Sequence, residues 1–324
     1  MKRSFKALMC AALAVILIFV FTGCAKFNYI TNGTIQAINE VKSGDWNKTP
    51  DSPDSPDNPN GTDDSDPAVI DEFKEGNYGG VEFKSLDDVA KYYCEAYNKT
   101  KAKKAKFKNE NGDVVEMYAF ADEKVMEVND ILVEGKSNAV INKLIPQLLN
   151  ALYVPTIGGL HPCNAREPEN DKDENGESLM TCRVTADDMV TANVTDNGDG
   201  TITLVMQPKS VNMSRVGMDS QGKFYTTLND VGAVVEAVDA FSWASGTTEE
   251  NCKVNYKGGT VTVKINTASG EIVEADYNMI AYVNVQHANI AVVKDKSLSA
   301  TVNYKCHFPA SKEFYDKVNC HPVD

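Results

Sequence analysis

Cysteine and histidine have the widest chemical repertoire of the residues in this sequence, and several of them are neighbours. Three of the four histidines stand beside a cysteine, in His161-Pro162-Cys163, Cys306-His307 and Cys320-His321. Both residue types are typical zinc ligands. However, two adjacent side chains rarely reach the same tetrahedral ion, and no two cysteines have the C-x2-C spacing of zinc sites. The pattern therefore favours disulfide bonds over a zinc site.

Six cysteines follow residue 24, and an even number is typical of exported proteins that contain disulfides. They are Cys94, Cys163, Cys182, Cys252, Cys306 and Cys320. Six cysteines allow fifteen pairings, and the sequence does not choose among them. Closeness along the chain favours Cys163–Cys182 and Cys306–Cys320. That choice would leave Cys94 to pair with Cys252.

One acidic segment resembles the first half of a calcium-binding EF-hand loop. Asp171, Asp173 and Asn175 stand at loop positions 1, 3 and 5, and Gly176 stands at position 6. At the position of the bidentate glutamate the sequence has Cys182, and no helix pattern flanks the segment. We interpret it as an acidic surface loop and expect no metal or other cofactor.

Sequence motifs of common enzymes are missing. G-x-S-x-G, H-E-x-x-H, G-x-x-x-x-G-K-[ST] and G-x-G-x-x-G do not occur. The adjacent acids Asp87-Asp88, Asp187-Asp188 and Glu249-Glu250 lie where helices are expected to begin, and acids there interact favourably with the helix dipole. We therefore assign no catalytic residue.

A lysine cluster is the one strongly basic stretch of the sequence. It consists of Lys99, Lys101, Lys103, Lys104, Lys106 and Lys108. These lysines could meet anionic headgroups or cell-wall polyanions, at about 1 kcal/mol for each lysine. The simpler interpretation, which we favour, is a solvated helix end followed by an edge strand that lysines protect from aggregation. Phe107 is the one aromatic residue among them, too few for the row of aromatic side chains on which bases would stack.

The charge of the chain excludes one class of partner. Its 324 residues include 32 Lys and Arg against 46 Asp and Glu, which gives a net charge of −14, and without the first 23 residues the charge is −17. Nucleic-acid binders need concentrated positive charge, so we expect no nucleic-acid partner. With 42% hydrophobic residues the chain can bury a core, which argues against global disorder.

The N-terminus has the layout of a secretory signal. Met1–Lys6 is basic, and the apolar run Ala7–Phe21 has fifteen residues, fewer than the roughly 18–20 that a membrane span needs. Phe21-Thr22-Gly23-Cys24 resembles the lipobox of bacterial lipoproteins, although Phe21 departs from the aliphatic residue usual there. The resemblance implies cleavage before Cys24, which would carry a diacylglycerol and a palmitate chain.

The rest of the chain divides into three segments behind this signal. Residues 24–46 form a membrane-proximal segment. Residues 47–68 form a disordered linker rich in Pro and Asp, in which four prolines repeat every three residues as in polyproline II. Residues 69–324 form the globular domain, with a more helical part at 69–160 and a β-rich part at 161–324. The protein would sit on the extracytoplasmic face of the cell membrane, like surface lipoproteins of Gram-positive bacteria.

Hydrophobic periodicity predicts an α+β fold with an antiparallel meander in the C-terminal half. Helices are expected from a capping box at Ser85–Asp88, over Ser137–Tyr153 and over Asn229–Trp243. A hairpin is expected around Asn109–Asp113. Longer strands are expected over Thr201–Met206, Thr260–Ile265, Glu271–Gln286 and Ser297–Phe308.

One strand of the meander suggests a ligand. Tyr277, Met279, Ala281, Val283 and Val285 share one face, and long strands curved around helices can enclose an apolar cavity, although a packed core is the default. We expect a non-enzymatic binding or envelope-associated lipoprotein whose ligand is apolar or a cell-surface polymer. The alternatives are an extracytoplasmic hydrolase with a site assembled from distant loops, and a structural or protein-interaction lipoprotein.

Overall fold

The structure is a computed structural model, and it describes residues 66–101, 103–118, 120, 123–137, 182–225, 241–290 and 293–323. The signal, the membrane-proximal segment and almost all of the linker lie outside the described residues. So do nearly all of the helix expected over Ser137–Tyr153 and most of the one expected over Asn229–Trp243. The end of the latter, Phe241–Trp243, is a β-strand rather than helix.

Strands make up most of the described residues. They are β1 (Gly76–Tyr78), β2 (Val81–Phe83), β3 (Lys104–Lys108), β4 (Val114–Tyr118), β5 (Glu123–Val133), β6 (Lys136–Ser137), β7 (Met189–Asp196), β8 (Thr201–Pro208), β9 (Val211–Asn212), β10 (Phe241–Trp243), β11 (Cys252–Tyr256), β12 (Thr260–Asn266), β13 (Glu271–Ile290), β14 (Val293–Phe308) and β15 (His321–Val323). The helices are α1 (Leu86–Lys101), α2 (Ser220–Phe224), α3 (Thr248–Asn251) and α4 (Lys312–Val318), and Ala186–Asp188 forms a 3-10 turn. The α+β class with antiparallel sheets is confirmed, with strand predominating.

The largest sheet in the described residues has ten strands and is antiparallel. Its main order is β6-β5-β14-β13-β12-β8-β7. One edge of β13 pairs with β14, while the other edge pairs in succession with β12, β11 and β10. β9 extends β11. Two smaller sheets pair β1 with β2 and place β3 between β4 and β15.

Alternation of apolar and polar residues explains these strands. In β12, Val261, Val263 and Ile265 are fully buried, while the polar residues between them are partly exposed. The same alternation runs through β13, where the five residues noted above are all buried on the inner face. Gly270, with a φ of 67°, supplies the left-handed backbone of the turn between the two strands. The expected strands and this turn are therefore confirmed.

Helix α1 covers the inner face of the sheet. The carboxylate of Asp88 accepts a hydrogen bond from the Ser85 backbone at 3.0 Å, which is one of the two hydrogen bonds of the expected capping box. The Tyr93 hydroxyl lies 3.0 Å from that of Tyr277 on β13. Around this contact, buried rings pack on one another in stacked, tilted or edge-to-face arrangements: Tyr93, Tyr97, Phe120, Phe224, Tyr225 and Tyr277.

The front and back halves of the chain share their sheets. β5 pairs with β14, and β3 pairs with β15 near the C-terminus. Within residues 66–137 the secondary structure is one helix and six strands, so the expectation of a more helical front half is wrong for these residues. The expected hairpin around Asn109–Asp113 is confirmed, since it joins β3 to β4.

Candidate functional site

Lysines of β3 form one face of the small three-stranded sheet. Lys104, Lys106 and Lys108 alternate with Ala105 and Phe107, and the three lysines are exposed. Phe107 points the other way, is 2% exposed and contacts the ring of Tyr315 in α4. Because successive side chains of a strand point to opposite faces, burying Phe107 holds the three lysines on the solvent side. We call this surface the lysine face.

Two exposed valines belong to the lysine face. Val114 on β4 lies opposite Lys108, and Val323 on β15 lies opposite Lys106. Their relative exposures are 58% and 40%, among the highest for large apolar side chains in the described residues. Glu116 is the one acid directly opposite any of the three lysines in β4 or β15. The lysine face therefore combines positive charge with apolar surface.

This arrangement corrects one expectation about the lysine cluster. β3 is the middle strand of its sheet, because β4 pairs with one edge and β15 with the other. Its lysines therefore do not protect an exposed strand edge. The other three members of the cluster contact the rest of the fold. Lys99 donates a hydrogen bond to the Ser269 backbone carbonyl, Lys101 is buried, and Lys103 forms an ion pair of 2.6 Å with Glu271.

The described cysteines are arranged differently from the pairing favoured by the sequence. The sulfurs of Cys94 and Cys182 lie 2.6 Å apart, whereas the sequence favoured Cys94 with Cys252 and Cys182 with Cys163. No two described cysteines are joined by a disulfide, and Cys163 lies outside the described residues. Burial raises the pKa of Cys252 far above its usual value, so that thiol is unreactive. Cys306 is also buried, on β14, and Cys320 is half-buried between α4 and β15.

The adjacent acid pairs act as helix caps, as the sequence predicts. Asp88 caps α1, and Glu250 forms a capping box with Thr247 at the start of α3. Asp188 forms the equivalent box with Thr185 at the 3-10 turn. Each carboxylate is therefore engaged with backbone at the start of a helical segment.

Where the structure describes them, the histidines do not join the cysteines in a common site. In β14, Cys306 is buried while the neighbouring His307 is partly exposed and contacts Asp276 at 2.8 Å. His287 contacts Asp295 at 2.7 Å, near the other end of the same hairpin. In the described parts of the chain, no three His, Cys, Asp or Glu side chains gather as they would to hold a metal ion.

A buried ion pair, which the sequence did not reveal, joins the 3-10 turn to α2. The Asp188 carboxylate accepts hydrogen bonds from the Lys223 ammonium at 2.8 and 2.9 Å and from the Thr185 hydroxyl at 2.8 Å. The Ser220 hydroxyl lies 3.3 Å from the same carboxylate. Residues 35 apart in sequence meet here, and their local patterns give no sign of it. The cluster is fully hydrogen-bonded, which is typical of a structural role.

Asp219 begins α2 beside this ion pair and titrates abnormally. Burial raises the pKa of its carboxyl above 3.8, although hydrogen bonds from Ser214, Gly222 and the Arg215 backbone oppose the shift. The same contacts make Asp219 the N-cap of α2. The abnormal pKa thus has a structural cause.

Two of the expected sites lie outside the described residues. They are Cys24, the expected site of acylation, and the calcium-like segment with Asp171, Asp173 and Asn175. None of the helices in the described ranges is both long and apolar enough to cross a membrane.

Comparison with protein-family models, with curated proteins and with solved structures finds no match.

Proposed function

We propose that this protein is a non-enzymatic surface lipoprotein whose lysine face binds an anionic, phosphate-bearing polymer of the cell envelope. The observation that carries the proposal is the set of three exposed lysines held on one face of β3. The expected anchor is Cys24, with its acyl chains in the membrane. The expected location is the extracytoplasmic face of the cell membrane.

The lysine face is suited to a polymer because its charges are held in place. β3 pairs with β4 along its whole length and with β15 from Lys106 to Lys108, so the three lysines start from a fixed backbone. Lysines two residues apart in a strand are about 6.5–7 Å apart, a spacing that lets one polyanion meet all three. The rest of the chain is acidic, and an approaching polyanion would be steered toward the face that repels it least.

The linker favours a polymer over lipid headgroups. The linker's Asp66 and Pro67 are hydrogen-bonded to the domain, so 47–65 are the residues that can act as a spacer. If these adopt polyproline II, they extend about 60 Å at ~3.1 Å per residue. A domain held at such a distance meets polymers of the wall more often than the membrane surface. The linker's aspartates also repel anionic headgroups, which are attractive to lysines only within about a Debye length.

An apolar ligand is supported less well than a polymer. The inner face of β13, which suggested a cavity, packs against α1 and the buried rings. Met279, Ala281 and Val283 have relative exposures of at most 4%. Such burial is what a packed core requires.

Binding of soluble poly(glycerol phosphate) to the purified full chain tests the proposal. The triple variant Lys104→Gln, Lys106→Gln, Lys108→Gln should bind about 100-fold more weakly, because each lysine contributes about 1 kcal/mol at an anionic surface. Higher salt should weaken polymer binding by the wild-type protein, so that its affinity approaches that of the variant. Isothermal titration calorimetry at two salt concentrations measures both effects.

A second triple variant serves as the matched control. Lys91→Gln, Lys294→Gln, Lys317→Gln removes the same charge from exposed lysines elsewhere in the described residues and should bind like wild type. Equal losses in both triple variants would show that only net charge matters and would refute a specific face. Binding to vesicles containing phosphatidylglycerol but not to the polymer would replace the proposed partner with lipid.

Cell fractionation tests the anchor separately. Cys24→Ser should leave the protein soluble or uncleaved, because two or three acyl chains are needed for stable attachment. A Cys10→Ser variant, altered within the apolar run, should fractionate with membranes like wild type. If Cys24→Ser is still processed and membrane-bound, the lipoprotein assignment is wrong.

A further inference from the structure

We infer that Cys94 and Cys182 form a disulfide bond when the protein meets an oxidant. Their sulfurs lie 2.6 Å apart, and closing that distance to a disulfide bond of ~2.05 Å needs a movement of only about 0.5 Å. The pairing differs from those favoured by distance along the chain. It joins residues 88 positions apart.

Backbone contacts hold the two cysteines in register. The backbone N–H of Cys182 donates to the side-chain carbonyl of Asn98 at 2.8 Å. Asn98 lies on α1, one helical turn after Cys94. The thiol of Cys94 lies 3.5 Å from the carbonyl oxygen of Val184. These two hydrogen bonds therefore hold Cys182 against α1 before any disulfide bond forms.

The local chemistry identifies Cys94 as the attacking sulfur. The hydrogen bond with Cys182 lowers the pKa of Cys94, against the opposing effect of burial. Cys94 is also partly exposed, whereas Cys182 is buried, so an oxidant reaches Cys94 first. A thiolate with a lowered pKa is present at neutral pH in a larger fraction than an ordinary thiol.

The oxidant we propose is a disulfide of another molecule, such as oxidised glutathione in vitro. The Cys94 thiolate attacks one sulfur of that disulfide, which breaks its S–S bond and releases a first thiol. Cys182 loses its proton and attacks Cys94 in the mixed disulfide, which releases a second thiol. In total, two protein thiols are oxidised to one disulfide, and one external disulfide is reduced to two thiols.

Tryptic mapping identifies this bond because cleavage separates all six cysteines. Cys94 lies on peptide 92–99 and Cys182 on peptide 173–183, whereas Cys163 lies on 144–166 and Cys252 on 224–253. The purified full chain is reduced, exposed to oxidised glutathione, alkylated and digested without reductant. Mass spectrometry should find peptides 92–99 and 173–183 linked as the main product. Linkage of 92–99 to 224–253, or of 173–183 to 144–166, would overturn the inference.

Thermal unfolding with and without reductant provides a second test that needs no variant. The oxidised wild-type protein should unfold about 5–15 °C above the reduced protein, because a bond that closes a loop of this length restricts the unfolded chain. Cys94→Ser and Cys182→Ser should abolish the difference, and Cys320→Ser should retain it. If reductant leaves the Tm of wild type unchanged and no linked peptide is found, the disulfide does not form.

Discussion

Removing the charge of Asp188 should destabilise the protein without affecting polymer binding. The Asp188→Asn variant keeps the size of the side chain but takes away the negative partner of Lys223. It also replaces one acceptor oxygen by an NH2 group, which is a hydrogen-bond donor. All the groups around the Asp188 carboxylate are donors too, so the NH2 group would face donors and find no acceptor. The variant therefore tests whether this acid is structural.

The size of the effect follows from the burial of the pair. Breaking a buried ion pair by removing one partner costs about 3–5 kcal/mol. The Asp188 side chain is 7% exposed and that of Lys223 is 22% exposed, so the lysine can regain some water. We therefore expect a loss of about 2–4 kcal/mol in the free energy of unfolding, which corresponds to a fall in Tm of about 5–15 °C.

Urea denaturation and calorimetry of matched variants measure the effect. Asp187→Asn is the control, because Asp187 is the adjacent acid but is exposed, and its change should cost less than about 0.5 kcal/mol. A double-mutant cycle with Lys223→Gln isolates the interaction between the two charges. The reasoning is refuted if Asp188→Asn is as stable as Asp187→Asn, or if the cycle gives no coupling energy.

Two other predictions concern buried polar groups. The raised pKa of Asp219 means that the folded state binds the proton more tightly than the unfolded state, so wild type should lose stability as the pH rises above 3.8 through the folded pKa. Asp219→Asn should flatten that part of the Tm–pH profile; an unchanged profile would show that another group titrates. Tyr93→Phe should cost about 1 kcal/mol in urea denaturation, because its hydroxyl contacts that of Tyr277. Tyr282→Phe, on the exposed side of β13, should be neutral, and equal costs would contradict this account.

Local patterns in the sequence predicted several of the individual elements. The alternation of Val261, Val263 and Ile265 identifies β12, and the capping box at Asp88 identifies the start of α1. Both signals depend on residues a few positions apart, so they can be recognised directly in the sequence. The same holds for the hairpin around Asn109–Asp113.

Contacts between distant residues were beyond such patterns. Nothing near Lys223 indicates that its partner is Asp188, and nothing near Cys94 indicates Cys182. The position of β3 between β4 and β15 depends on a strand that starts more than 200 residues later at His321. Distance along the chain is a poor guide to such pairs because antiparallel sheets bring remote segments together. The sequence therefore revealed a cluster of lysines but not that three of them share one face of a sheet.

The way β13 is shared has a consequence for the order of folding. Strands β10, β11 and β12 precede β13 in the chain, and each pairs with a different part of it. β5 likewise pairs with β14, which is synthesised much later. The large sheet cannot close until about the last fifty residues have been synthesised. Until then β5 and β10 lack the long strands with which they pair in the folded protein.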